Sequence, residues 1–400
     1  MGLLLDLVCP QCSQSFAAEA VQTYCQNCQS PLLARYDLER ISRSLTPAEV
    51  RQRSKGIWRW EELLPLREKQ WQISLGEGDT PLLPLPRLGE KLGLRHLYLK
   101  DEAQNPTACF KARGMAVALS RHLELGLRHF RLATAGNAGG ALAAYAARAA
   151  SVLRRKGEAC YAHIYMPRSA PKANRIEVQA SGADLHLVEG VISDAAQKAQ
   201  QDAQAYQGAR ESWFDLSTFK EPYRVEGKKT MGFELAEQFD YQLPDVILYP
   251  TGGGTGLVGM WKAFAELEQL GWINAARPRM ISVQASGCAP IVQAFHSGAE
   301  RIQAWPNATT TANGLCVPKP FADRLILTIL RQSGGSAIAV DDEQIHLAQQ
   351  ELARLEGIFA APEGAATVAA LKAMIANRMI DSEEKVVLFN TASGVKYIEM

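Results

Sequence analysis

Short apolar runs alternate with longer stretches of helical periodicity along most of this chain. The pattern predicts strands at 97–100, 130–133, 159–166, 184–188, 246–249, 280–284, 337–340 and 386–389. Helices are expected at 112–125, 138–150, 172–181 and 193–206, and from a glycine run to about residue 270. Strands this short and this apolar, separated by helices, belong to parallel sheets covered on both faces. The segment 36–72 reads differently: it is charged, contains Trp58, Trp60 and Trp71, and is interrupted by Pro65, so short helices covering a neighbour are expected. No internal repeat or low-complexity linker breaks the chain. The expected fold class is α/β, with two three-layer units that each contain a parallel sheet. Residues 120–215 would form a small mobile unit inserted into a larger one made of 36–119 and 216–400, and residues 1–35 would form a separate ribbon-like segment.

Composition narrows the function classes. The chain has 400 residues, of which 47% are hydrophobic and 21% charged, and 43 basic against 42 acidic side chains leave a net charge of +1. A nucleic-acid binder that works by counterion release carries a basic excess, which is absent here, so no nucleic-acid partner is expected. A disordered chain is poor in apolar residues, and this one is not. The length suits two domains and an appendage. No run approaches the roughly 18 consecutive apolar residues that span a bilayer, so no membrane partner is expected. Met1-Gly2-Leu3-Leu4-Leu5-Asp6 has no basic lead, and Asp6 stands where a myristoylation signal needs Ser or Thr. A cytoplasmic location is expected.

Four of the eight cysteines lie in the first segment, as Cys9-Pro-Gln-Cys12 and Cys25-Gln-Asn-Cys28, with twelve residues between the pairs. Two tight turns of this kind can aim four thiolates at one point, the donor set of a structural zinc site. A segment under 40 residues with little apolar content needs such a staple to fold. Two disulfides, or a ribbon without metal, are the alternatives. Four thiolates leave no open coordination position, so a catalytic metal is not expected. Cys109, Cys160, Cys288 and Cys316 are scattered and read as small buried residues. The seven histidines form no HExxH or close metal pairing.

Four loops carry candidate chemistry, each at a strand end or a helix start, where open parallel sheets bind ligands. Gly252-Gly253-Gly254-Thr255-Gly256 follows a strand and opens a helix. Glycines there let backbone N–H groups turn inward around a phosphate, and the helix end adds partial positive charge. Gly254-x-Gly256-x-x-Gly259 also fits a dinucleotide motif, but that motif needs an acidic residue at the end of the next strand, where Gln284 stands. A monophosphate cradle fits better. Lys111, after Asn105-Pro106-Thr107-Ala108-Cys109-Phe110, is either a surface lysine or a desolvated amine able to form a Schiff base. Thr134-Ala135-Gly136-Asn137-Ala138-Gly139-Gly140 allows close approach of a flat ligand; Asn137 either donates to a phenolate or caps its helix. Thr391-Ala392-Ser393-Gly394 places two hydroxyls after the last strand. Glu363, in Pro362-Glu363-Gly364, is a pocket residue or a first-turn acid.

Taken in order, these stretches resemble the pyridoxal-phosphate enzymes of the tryptophan-synthase-β fold type, and within them threonine synthase over almost the whole length. Gly76-Glu77-Gly78-Asp79-Thr80-Pro81-Leu82, the Lys111 segment, Gly136-Asn137 with Ala143-Ala144-Tyr145-Ala146, Pro222 to Thr230, the glycine run and Thr391 to Lys396 carry the resemblance. It implies that pyridoxal 5'-phosphate is bound covalently by Lys111, beside Phe110. Asn137 would meet its phenolate, Gly252, Gly253, Gly254, Thr255 and Gly256 its phosphate, and Thr391 its pyridine nitrogen. A hydroxyl at that nitrogen favours elimination–addition over transamination. Thr107, Thr134, Arg224, Lys229 and Thr230 would surround the substrate, O-phosphohomoserine, whose phosphoryl group suits an Arg fork and a Lys point charge. For Arg224, Lys228 and Lys229 the alternative is a solvated helix face with a Glu226–Lys229 pair. An N-terminal ribbon with zinc at Cys9, Cys12, Cys25 and Cys28, and a homodimer, also follow from the resemblance. The chain departs from the family at Ala108-Cys109, Ala112, Glu221 and Ala392, and its glycine run is closer to the serine/threonine dehydratases. A serine/threonine ammonia-lyase or β-replacement activity is therefore the alternative.

Overall fold

In the computed structural model, residues 2–154, 157–206 and 212–398 are described. Six strands form the larger sheet, in the order Ser336–Val340, Arg279–Ala285, Val246–Pro250, Lys385–Asn390, His96–Asp101 and Leu82–Pro84. The first five are parallel, as the apolar runs predict. Leu82–Pro84 is the exception: it pairs antiparallel at the edge, where Pro84 costs no ladder bond. The smaller sheet is wholly parallel and orders Asp184–Val188, Tyr161–Pro167, His129–Ala133 and Phe214–Asp215.

Both sheets are middle layers because successive side chains of a strand face opposite sides. In the larger sheet Ile247, Tyr249, Val387 and Phe389 pack with Phe233, Leu257, Met260 and Phe264 from the helices Arg224–Gln238 and Thr255–Gln269. Val246, Leu248, Val386 and Leu388 face the other way, onto Ala365, Val368 and Leu371 of the helix Pro362–Ala376. In the smaller sheet Phe130, Leu132 and Ile164 meet the alanine-rich helix Asn137–Leu153, while Tyr165 faces Ala195 and Ala199 of Ile192–Ala205. The alternating apolar pattern and high helix propensity of alanine suffice for these layers.

The N-terminal segment is an antiparallel sheet, Ser15–Ala17, Leu4–Val8 and Leu33–Tyr36, with a two-stranded ribbon of Tyr24–Cys25 and Ser30–Pro31. Its last strand runs one residue past the expected limit at 35, because Tyr36 pairs with Leu4 and its hydroxyl donates to buried Glu226 at 2.8 Å. The expected short helices are present as Leu38–Ser44 and Pro47–Gln52, followed by the 3₁₀ turns Ile57–Leu63 and Lys69–Trp71. Among the described residues no helix is long and apolar enough to cross a membrane.

Candidate active site

Lys111 begins the helix Lys111–Glu124, and the turn before it is held in an unusual backbone conformation. Thr107 and Ala108 adopt positive φ values of 63° and 49°. Each costs of the order of 1–3 kcal/mol in a non-glycine residue, so neighbouring structure must impose it. The end of the last parallel strand does so. Phe110 N–H donates to Thr391 O at 2.9 Å, Ser393 N–H donates to Ala108 O at 3.0 Å, and Cys109 bridges to Ala392. Lys396 Nζ adds a bond to Thr107 O at 2.9 Å. Thr391 and Lys111 are thereby brought to one edge of the larger sheet.

The Lys111 amine lies over the Phe110 ring, 4.4 Å from its centroid. Burial, and then the charge of Arg224, push its pKa down to about 8. The Asn137 loop reaches the same place: Cys109 Sγ is 3.9 Å from Asn137 O, and Asn137 Nδ2 donates to Tyr397 Oη at 3.4 Å. The glycine loop joins through Tyr249, whose ring meets Phe110 edge-on at 6.3 Å and whose hydroxyl lies under Gly256. A Cβ at Gly256 would come within 1.9 Å of that hydroxyl, and one at Gly252 within 2.3 Å of Gly314 O. Gly254, at φ 81°, supplies the left-handed turn into the helix Thr255–Gln269, whose first-turn N–H groups have no partner within the helix. A phosphate therefore finds backbone donors at the glycine loop, which Tyr249 and Phe110 join to the Lys111 amine. Asn137 Oδ1 is buried and unpaired, which fits a site built around a polar ligand.

The residues expected around the substrate separate by helical phase. Arg224 and Lys228 are four apart and share one face of the helix Arg224–Gln238, toward Lys111. A Cβ on Gly114 would lie 2.9 Å from Arg224 O and 3.1 Å from Lys228 Cε, so this glycine lets the two helices close. Lys228 Nζ donates to Phe110 O and lies 4.0 Å from the Phe110 ring centroid. Arg224 Nη1 donates to Leu216 O at 2.7 Å, and Glu221 accepts from the N–H groups of Tyr223 and Arg224. Burial pushes Glu221 up to about 7 and, together with the charge of Lys111, drives Lys228 well below its ordinary value.

Lys229 and Thr230 face elsewhere, against the expectation that they surround the substrate. Lys229 pairs with Glu226 at 2.7 Å and Glu266 at 2.9 Å, under the Tyr36 ring. Thr230 donates to Gly227 O at 2.7 Å and accepts from Arg113 at 2.9 Å. One and two further residues of rotation carry both side chains away from the Lys111 face. Thr134 Oγ1 accepts from Gly136 N–H at 3.1 Å and shapes the Asn137 loop, while Thr107 Oγ1 lies 3.5 Å from Cys109 Sγ.

Two further groups complete the site: Glu363, which the sequence left between a pocket residue and a first-turn acid, and Tyr397, which it did not mark. Glu363 accepts from Gly314 N–H and from the Tyr397 hydroxyl, both at 2.6 Å, beside Lys111. Tyr397 lies one residue past the family-like stretch, and no spacing signal marks it. Away from these residues, the Sγ atoms of Cys9, Cys12, Cys25 and Cys28 all lie within 4.8 Å of one another, and those of Cys12 and Cys25 are 3.8 Å apart. Tetrahedral Zn–S bonds of about 2.3 Å place sulfurs about 3.8 Å apart, so the donor set fits that ion.

Comparison with known proteins agrees with this geometry. Residues 73–392 match the family model described as pyridoxal-phosphate dependent enzyme. A threonine synthase of Methanocaldococcus jannaschii is 34% identical over 97% of this chain and 92% of its own length. One from Methanosarcina acetivorans is 33% identical over 98% and 92%. Among solved structures, the processed form of threonine deaminase isoform 2 from Solanum lycopersicum superposes with a TM-score of 0.64 at 22% identity, covering 81% of this chain and 86% of that one. Diaminopropionate ammonia lyase from Escherichia coli gives 0.65 at 20% identity, covering 81% and 87%; at this identity both establish the fold alone. The chain belongs to the pyridoxal-phosphate dependent enzymes, on the branch that holds the threonine synthases.

Proposed function

We propose that this enzyme converts O-phosphohomoserine and water to L-threonine and phosphate. The observation that carries the reading is the buried pair Arg224 and Lys228 on the face toward Lys111. Among the described residues neither side chain forms an ion pair with a carboxylate. Buried cations without a counter-ion are costly, and a phosphoryl dianion would supply one. Lys228 regains its proton when that anion arrives.

Pyridoxal phosphate, when bound, supplies the aldehyde that captures the substrate amino group and the electron sink for breaking bonds at Cα and Cβ. Gly252 to Gly256 would hold its phosphate, Asn137 its phenolate and Thr391 its pyridine nitrogen, with Phe110 lining the amine. Lys111 Nζ is the amine that anchors it and moves the Cα proton. Arg224 and Lys228 orient the substrate so that its phosphate leaves from Cγ. Thr107 and Thr134 shape the walls of this space. The resemblance also assigns zinc to the four thiolates and a homodimer; the sequence pattern adds a cytoplasmic location and residues 120–215 moving as a unit against 36–119 and 216–400.

The second reading, a serine/threonine ammonia-lyase, is favoured by the glycine-rich phosphate loop. Purified protein given O-phosphohomoserine should release inorganic phosphate and threonine in equal amounts. Keto acid from serine or threonine, with no phosphate from O-phosphohomoserine, would select the second reading instead.

A further inference from the structure

Glu363 opens the helix Pro362–Ala376 and is only 4% exposed. Its Oε1 accepts from Gly314 N–H and from the Tyr397 hydroxyl, while Oε2 is buried without any partner. On the other side of the same hydroxyl, Asn137 donates through Nδ2 and keeps Oδ1 unpaired. An unsatisfied buried acceptor costs about 1–3 kcal/mol, more when it is charged. Two of them flanking one tyrosine mark a place where a small donor completes the hydrogen bonds. That place is in the reacting centre: Asn137 O contacts Cys109, and Glu363 and Lys111 act on each other's charge.

We infer that Glu363 and Tyr397 hold the water molecule that is added to the substrate, with Glu363 Oε2 as the acceptor of its proton. The inference rests on the threonine-forming reading above. Once a Cβ–H bond has given up its proton, phosphate has left Cγ with the electron pair of the C–O bond and that proton has been returned to Cγ, a Cα=Cβ double bond remains and one O–H bond of the water breaks. The oxygen bonds Cβ, the proton passes to Oε2, and Cα recovers its proton from Lys111 Nζ. Glu363 then gives up its proton toward the departing phosphate. Tyr397 fixes the carboxylate through Oε1, so that Oε2 alone faces the water. If water does not reach Cβ, the phosphate-free product leaves and hydrolyses to 2-oxobutyrate and ammonia, so the product ratio reports this step.

The test is E363Q, with Y397F beside it. A glutamine oxygen keeps the bonds to Gly314 and Tyr397, while its NH₂ replaces the free acceptor with a donor. Phosphate, threonine and 2-oxobutyrate are measured from O-phosphohomoserine, with cofactor affinity and the cofactor absorbance band recorded for each protein. Phosphate release should stay within about threefold of wild type while the threonine share falls about tenfold or more, with 2-oxobutyrate making up the difference. Wild-type product ratios in both variants would overturn the inference, as would loss of phosphate release with cofactor still bound, which would place the pair at an earlier step. If wild-type protein releases no phosphate at all, the threonine-forming reading itself fails, and that result is distinct from either.

Discussion

Lys111 owes its reactivity to what surrounds it more than to its position in a motif. Its amine rests on an aromatic face, near the Arg224 charge and partly balanced by Glu363. A lysine whose pKa is lowered is neutral, and nucleophilic, above the lowered value. Cofactor capture by the cofactor-free protein should therefore accelerate as pH rises through about 8 and level off above it, well short of the ordinary lysine range. Stopped-flow absorbance of added pyridoxal phosphate measures this; a rate still climbing at pH 10 would mean that the amine is not desolvated. Arg224 and Lys228 invite a second experiment. R224A and K228Q should each raise the KM for O-phosphohomoserine about 10- to 150-fold, the equivalent of one charge-assisted hydrogen bond, and weaken inhibition by inorganic phosphate alongside. K229Q should disturb stability and leave phosphate inhibition near wild type, since Lys229 faces Glu226 and Glu266.

The helix Arg224–Gln238 explains why those neighbouring lysines were hard to tell apart in sequence. A helix charged all round normally lies in solvent, yet Arg224 through Ala236 are buried here. Its acids are neutralised by one local partner and three remote ones: Glu226 by Lys229 and Lys262, and Glu234 by Arg113 and Lys100. No local pattern reveals the remote pairs. The strands and most helices were legible, because each sheet face needs its apolar run. The glycine loop and the Lys111 segment were legible as a strand-to-helix turn and a helix start, which is where they lie. Glu363 was legible only as one of two readings and Tyr397 not at all, since they meet only when the last turn, Gly394–Tyr397, folds back on the helix from Pro362. The buried network also has a measurable role. Glu234 ties Arg113 and Lys100 to the Asp79 and Thr80 backbone, so E234Q leaves buried Lys100 without a carboxylate and Arg113 with Glu102 alone. It should destabilise the fold by about 3–5 kcal/mol in urea titration, whereas mutating an exposed pair such as Arg43–Glu39 should change it by less than about 0.5 kcal/mol.

At the scale of the whole molecule, the N-terminal ribbon is joined to the catalytic unit by contacts that end next to Arg224. Tyr24, beside Cys25, packs edge-on against Phe321 at 5.2 Å, and Lys220 Nζ lies 4.6 Å and 4.0 Å from the centroids of those two rings. Lys220 adjoins Glu221, which accepts the N–H groups opening the Arg224 helix, and Thr218 touches the glycine loop at Gly253. A second tie, Arg121 Nη2 to Ala18 O at 2.6 Å, anchors the far side of the ribbon. If zinc sets the two cysteine turns, its removal frees Tyr24 and slackens the Lys220–Glu221 turn, while the Lys111 clip at Thr391 is untouched. Metal analysis should find about one zinc per chain, held by four thiolates. Chelation should then raise the KM for O-phosphohomoserine several-fold with the cofactor band unchanged, and Y24A, which removes a cation–π contact of about 0.5–2 kcal/mol, should do the same in part without loss of metal. A metal-free protein with wild-type KM would confine the ribbon to a structural role of its own, detached from the chemistry at Lys111.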